Sequence, residues 1–256
     1  MYFLRLVRNF LIIVFCANHA PADVISDLYE ALQMDRVNEI IRVEGIQDAR
    51  GTGEAYLSKN TVARFVDQAQ SVYQLETMEK DFKRLLTENL SISDAEAILL
   101  FYRSPIGKMA SELEVSARVA ISNKQIEEMA KIKFNEAVYL KNERLKELGS
   151  VIETLELVEQ NLIGAYAAQF AFMYELSKLG LVNLSRQEMI DAITSDEEKL
   201  KSDILEWLMA FSHMAYSPMS DEEFGVYNDF SKSALGITLN KALFSVYNEM
   251  AKDQSQ

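Results

Sequence analysis

Cysteine, histidine, tryptophan and proline are all scarce in this chain of 256 residues, which holds one, two, one and three of them. Cys16 stands alone, so no intrachain disulfide and no cysteine-built zinc site is available. His19 and His213 are the two histidines. Once His19 is assigned to the leader argued below, a single imidazole remains. That excludes zinc and di-iron centres built on several histidines, and one histidine does not make a Ser-His-Asp triad. A basic stripe is missing too. The chain carries 26 lysines and arginines against 39 acids, a net charge of −13, and Lys131, Lys133, Lys141, Arg144 and Lys146 are interleaved with Glu136, Glu143 and Glu147. Such a surface repels phosphate backbones, so no nucleic-acid partner is expected; the stretch reads as a solvated helix face with spaced ion pairs. Arg50-Gly51-Thr52-Gly53 lacks the Gly-Lys-Ser/Thr ending of a phosphate loop and reads as a plain loop. Lastly, the uncharged run Gln160–Tyr174 falls short of the roughly 20 residues a membrane span needs and contains Gln160, Asn161 and Gln169.

What is present begins with a leader. Arg5 and Arg8 precede an apolar run from Phe10 to Cys16, and Ala20-Pro21-Ala22 supplies small residues; this is the pattern of a signal peptide, residues 1–22, cut after Ala22. Export to the periplasm or beyond is the expected localisation, with no stable membrane insertion once the leader is gone. The mature chain would carry a net charge of −15, because Arg5 and Arg8 are lost with the leader.

The rest reads as helix throughout. No proline occurs between Ile106 and Ser217, and helix starts are marked by Ser93…Glu96, Ser122…Gln125, Ser185…Glu188, Ser195…Glu198 and Ser220…Glu223, each fitting the reciprocal cap in which serine and the residue three later satisfy orphan N–H groups. The expected class is all-α, a multi-helix bundle made of two related helical repeats, 23–122 and 123–256. Long helices are expected over 123–147 and 150–179, with Gly180 as a helix stop. Gln160–Tyr174 is expected to be the central helix, with Gly164, Ala168 and Ala171 admitting a close neighbour.

The repeat reading rests on one spacing. Phe101-Tyr102-Arg103-Ser104-Pro105-Ile106-Gly107 and Phe230-Ser231-Lys232-Ser233-Ala234-Leu235-Gly236 share Phe-x-x-Ser-x-x-Gly, each after an acidic helix start. In the first copy Phe101 and Tyr102 suit the core, Ser104 a cap, Pro105 the first position of a new helix, and Gly107 a close backbone approach. The run Ser91–Gly107 resembles the hallmark of a bacterial exported family known as domain of unknown function 2059. Leu28-Tyr29-Glu30-Ala31-Leu32, Val43-Glu44-Gly45, Trp207-Leu208 and Tyr216 through Glu223 are similar to alphaproteobacterial, duplicated members. The second copy departs from the pattern at Ser231, Lys232 and Ala234, and its cap lies two residues further upstream of the phenylalanine. The resemblance implies an all-helical exported protein and no particular activity.

No catalytic, metal-ligating or cofactor-binding set is read, and no cofactor is expected. Asp196-Glu197-Glu198 and Asp221-Glu222-Glu223 fall in the first turns of helices, where the dipole favours acids without an active site. Glu153, Glu156 and Glu159 recur along one expected helix face as a solvated edge, and His213 reads as a capping or core residue near a helix end. Two functions follow. The first is a non-enzymatic interaction or scaffolding module, in which the residues of the two Phe-x-x-Ser-x-x-Gly turns are structural or bind a protein partner. The second is a carrier or chaperone for an apolar ligand, with Tyr166, Phe170 and Met173 as a cavity wall and eleven methionines to adapt to it. A carboxylate-based enzyme ranks third. Composition does not fix the oligomeric state.

Overall fold

The computed structural model describes residues 21–253 apart from 179 and 181. Of the expected leader, 1–22, only the last two residues fall inside that range, where they open the first helix. Thirteen helices follow one another and no strand occurs among the described residues: α1 (Pro21–Ala31), α2 (Met34–Tyr56), α3 (Lys59–Val72), α4 (Leu75–Asn89), α5 (Ile92–Tyr102), α6 (Pro105–Ile121), α7 (Lys124–Tyr139), α8 (Arg144–Thr154), α9 (Leu157–Lys178), α10 (Arg186–Thr194), α11 (Glu197–Tyr216), α12 (Asp221–Lys232) and α13 (Ala234–Asp253). The all-α, multi-helix reading therefore holds.

Three of the expected boundaries do not. α2 runs straight through Gly51 and Gly53, where a loop was expected. A Cβ on Gly53 would lie 3.3 Å from Val62, so this glycine serves the close packing of α3 on α2 and not a turn. The expected 123–147 helix breaks at residues 140–143, where Lys141 takes a positive φ of 56°. The 150–179 helix starts at Leu157 instead, because Glu156 at φ 52° interrupts it. Glu153 and Glu159 consequently sit on different helices, and the expected row of three carboxylates along one helix does not form. Gly180, by contrast, stands after α9 at φ 70°, the left-handed conformation of a helix stop.

Two of the five expected reciprocal caps are present, at Ser185 with Glu188 and Ser220 with Glu223. Ser91, not Ser93, caps α5 by accepting from the Asp94 N–H, and Asn123, not Ser122, caps α7. Ser122 and Ser195 instead donate back to carbonyls of the preceding turn, Val119 and Ala192, a local alternative open to serine near helix ends. The corrected cap at Ser91 also removes a difference between the two motif copies. Ser91 precedes Phe101, and Ser220 precedes Phe230, by the same ten residues.

Two main cores carry the fold. The first is built by Val24, Ile25, Leu28 and Tyr29 of α1, Phe82, Leu85 and Leu86 of α4, Ala95 and Ile98 of α5, and Leu239, Val246 and Met250 of α13. The second joins Ala110 and Ala117 of α6, Leu148 of α8, Ala215 and Tyr216 of α11, and Phe224 and Tyr227 of α12. A third, small cluster forms where Ala130 and Phe134 of α7 cover Trp207, Ala210 and Phe211 of α11.

The expected central helix is peripheral. In α9 Leu162 and Leu176 are buried, while Ile163 and Tyr174 are exposed and Ala168 faces solvent. Among the described residues nothing from a neighbouring helix lies within 4 Å of a Cβ on Gly164, so the close approach expected there is not made. The run lacks charge, yet α10 and α11 cover only part of it.

Candidate functional site

The two motif turns meet face to face. Phe101 and Phe230 stack with ring centroids 3.6 Å apart and planes 3° from parallel. Tyr102 meets both rings edge-on. Each serine caps its following helix by accepting from the glycine N–H, Ser104 from Gly107 at 3.1 Å and Ser233 from Gly236 at 3.2 Å. Each glycine presses against the end of the preceding helix. A Cβ on Gly107 would lie 2.2 Å from the Phe101 carbonyl oxygen, and one on Gly236 would lie 2.3 Å from that of Phe230. Pro105 occupies the first position of α6, where its missing N–H has no intrahelical partner to lose. Ala234 does not let α12 run on into α13: Ser233 breaks the helix at φ −70°, ψ 164°, against −69°, 161° for Ser104.

That match makes a prediction. Ser233 already has the extended backbone that a following proline requires, so Ala234→Pro should raise stability by about 0.4–1 kcal/mol through the unfolded chain. Urea unfolding of the variant checks it; a loss would mean that α13 needs the Ala234 N–H.

Beside the turns lies a polar cluster that the sequence reading missed. Glu114 of α6 accepts hydrogen bonds from the hydroxyls of Tyr216, at 2.6 Å, and Tyr227, which are themselves 3.0 Å apart. Burial pushes the Glu114 carboxyl above its ordinary range, and the two phenol donations offset part of that rise. Burial, reinforced by the Glu114 charge, also holds both tyrosines far above the usual phenol range. A signal was present: Glu114 falls in the row Ala110, Glu114, Ala117, Ile121, the spacing of one buried helix face.

Next to it, Arg144 donates to the carbonyls of Tyr216, at 3.1 Å, and Met219, at 2.9 Å, and pairs with Asp221. Its side chain is 15% exposed, so it closes the end of α11 and is no part of a solvated basic face. The neighbouring Lys133 and Lys146 do form the expected local pairs, with Glu136 and Glu143. His213 sits in the last turn of α11 with Nδ1 enclosed and unpartnered; burial, then the Arg144 charge, lower its pKa. Among the described residues the Nδ1 of His213 meets no nucleophile, and neither of the two grooves below is lined by Glu114, Tyr216 or Tyr227. Among the described residues no group of three or more His, Cys, Asp or Glu side chains is placed to hold a metal, and no helix is long and apolar enough to cross a membrane.

Tyr166, Phe170 and Met173 do not line one enclosed space. Tyr166 donates to Glu197 of α11. Phe170 lies in an open groove of about 260 Å³ with Tyr174, Leu184, Arg186 and Met189, and the Arg186 guanidinium stands 5.5 Å from the Phe170 ring. Met173 is half-buried and does not line that groove. A second depression, of about 490 Å³, is bounded by Ile132, Asn135, Glu136 and Tyr139 of α7 and by Leu140 at its C-terminal end.

The matched family covers the first motif turn. Residues 76–132 match the family model described as an uncharacterized protein conserved in bacteria, DUF2059. The DUF2059 match spans α4, α5, α6 and the first half of α7, and so includes Phe101, Gly107 and Glu114. No curated protein and no solved structure matches the chain.

Proposed function

We propose that this is a non-enzymatic interaction module, exported to the periplasm or beyond and built of two related helical repeats. The observation that carries the interaction reading is the outer face of α7. Met129, Ile132 and Tyr139 of α7 and Leu140 just after it all point to solvent there, Tyr139 at 86% and Leu140 at 75% exposure, a cluster of exposed apolar side chains of the kind that marks interaction sites. Lys131 and Lys133 on the same helix are neutralised by Glu127 and Glu136, so the patch is close to electroneutral on a strongly acidic protein. A partner of either charge sign can approach it. The occupant that fits is an apolar helix face of another protein, seated across the depression at Ile132, Tyr139 and Leu140.

The test is Tyr139→Ser with Leu140→Ser. Both side chains are exposed, so circular dichroism and the melting temperature should hardly move. A photo-crosslinker at Asn135, introduced in the source cell, should form discrete protein adducts that the double variant loses. Adducts unchanged by the variant, or turnover of any substrate by pure protein, would sink this reading.

A carrier of apolar ligands comes second. The Phe170 groove, with Arg186 at its rim, supports it, but at about 260 Å³ and open on one side it is smaller than the roughly 300–1,000 Å³ of ordinary ligand pockets. Native mass spectrometry of protein from its own source separates the two: bound small-molecule mass favours the carrier.

A further inference from the structure

Each main core is completed by a helix from the other half of the chain. The first core takes α1, α4 and α5 from the N-terminal half but α13 from the C-terminal end. The second takes α8, α11 and α12 from the C-terminal half but α6 from the N-terminal half. The exchange is reciprocal: α4 packs on α13 and α11 on α6, while α5 meets α13 and α12 meets α6. The correspondence reaches further. α1 packs on both α4 and α5, and α8 on both α11 and α12. α1 is joined to α2, and α8 to α9, by two residues of which the second, Gln33 or Glu156, takes a positive φ of 55° or 52°. Such a conformation is uncommon for a side-chain-bearing residue; besides these two links it occurs among the described residues at Lys141, between α7 and α8, so the matched pair adds to the correspondence that the packing carries. The numbering offset is 123 at these links and 129 at Gly107 and Gly236; the difference arises at α11, with 20 residues against 15 in α4, and at the link that follows it, 217–220 against 90–91. α7 stands between the two sets and joins them.

We infer that the chain is an intramolecular helix-swapped pair: α1–α6 and α8–α13 are two copies of one unit, and each lends its last helix to the other's core. The inference rests on the repeat reading above and moves its boundaries from 122 to 121 and 144, with α7 as tether. The Phe-x-x-Ser-x-x-Gly turn is the point of exchange. Its serine stops the fifth helix and caps the sixth, its glycine lets the sixth helix leave hard against the fifth, and its phenylalanine stacks on its counterpart where the two paths cross. The surface that each unit presents therefore fits one partner, a second copy of the same unit. A tether makes the pairing intramolecular and raises the effective concentration of the two units.

The test keeps the full chain. A protease site replaces residues 140–143, the exposed link between α7 and α8, and the purified protein is cut. Expected is a 1:1 complex of the two pieces by native mass spectrometry, with unchanged helicity, whose dissociation by urea coincides with unfolding because neither piece owns a whole core. Pieces that separate while still helical would overturn the inference, and so would unfolding on cutting alone.

A second measurement uses hydrogen exchange on uncut variants. Val246→Asp, in α13, should speed exchange at least tenfold in α1, α4 and α5 more than in α8, α11 and α12. Ala110→Asp, in α6, should do the reverse. Exchange confined to the half that bears the substitution would also overturn the swap. Failure of the repeat reading is distinguishable from these outcomes: it would appear as α1–α6 not superposing on α8–α13 in an experimental structure, whatever the cut pieces do.

Discussion

Gly107→Ala should destabilise the protein by about 3 kcal/mol, the upper part of the range for forcing an added group into a packed site, although alanine is the better helix former by about 1 kcal/mol. The added methyl would meet the Phe101 carbonyl at 2.2 Å, the Tyr102 Cα at 2.6 Å and the Phe101 carbonyl carbon at 2.8 Å. All three are backbone atoms at the end of α5, so relief requires moving one helix from another, which opens the Phe101–Phe230 stack. Gly236→Ala meets the same obstacle, at 2.3 Å from the Phe230 oxygen and 2.4 Å from the Ser231 oxygen, and the loss should be similar. The control is Gly149→Ala in α8. It has open space around the new methyl and should gain about 0.5–1 kcal/mol from helix propensity alone. Chemical denaturation of the three variants decides the matter. Equal small gains at all three positions would mean that the turns are loose and that the motif glycines have no packing role.

Glu114→Ala should cost about 2–3 kcal/mol, because it leaves the buried hydroxyls of Tyr216 and Tyr227 without their shared acceptor, and an unmade buried hydrogen bond costs about 1–3 kcal/mol. The two phenols can then satisfy one another only in part, since one hydroxyl cannot receive and replace both donations. Glu114→Gln behaves differently. Its side-chain oxygen still accepts from the tyrosines, and it carries no charge to bury.

The sign of the pH effect follows from the raised pKa. The folded chain holds the Glu114 proton more tightly than the unfolded chain, whose carboxyl titrates near 4.5. The stabilising contribution of that proton is therefore complete below pH 4.5 and fades as pH rises through the folded value. Wild type should lose stability relative to Glu114→Gln as pH climbs above 4.5, and the two should converge in acid. Melting temperatures of both proteins between pH 4 and 8 measure this; parallel curves would show that the Glu114 carboxyl is solvated in the folded protein.

Residues whose role is local were legible in advance. Ser104 as cap, Pro105 at a first helical position, Gly107 as a close approach and Gly180 as a stop each follow from the backbone preferences of one residue and its immediate neighbours. So does the all-α class, because the capping serines and the lack of interior proline act within a few residues. The misplaced breaks at Lys141 and Glu156 have the opposite cause. Neither is glycine or proline, and both are held at positive φ because the helices on either side are packed in different directions, a constraint that the local sequence does not carry.

Burial divides along the same line. The uncharged run in α9 looked central, yet hydrophobicity states only that a face prefers cover; which neighbours arrive to cover it depends on the whole chain. Glu114 illustrates the converse. Its place on a buried helix row could be counted from the sequence, but its two phenol partners lie 102 and 113 residues away, and only their arrival makes the carboxyl tolerable there. The amino-acid sequence by itself determined helix, the caps at Ser104, Ser185 and Ser220, the paired motif and the chemistries that one cysteine and two histidines cannot support. Tertiary structure alone decided that the two motif turns stack on each other, that α13 completes the core of α1, α4 and α5, and that α6 completes that of α8, α11 and α12, because that choice is made by contacts between residues more than a hundred positions apart.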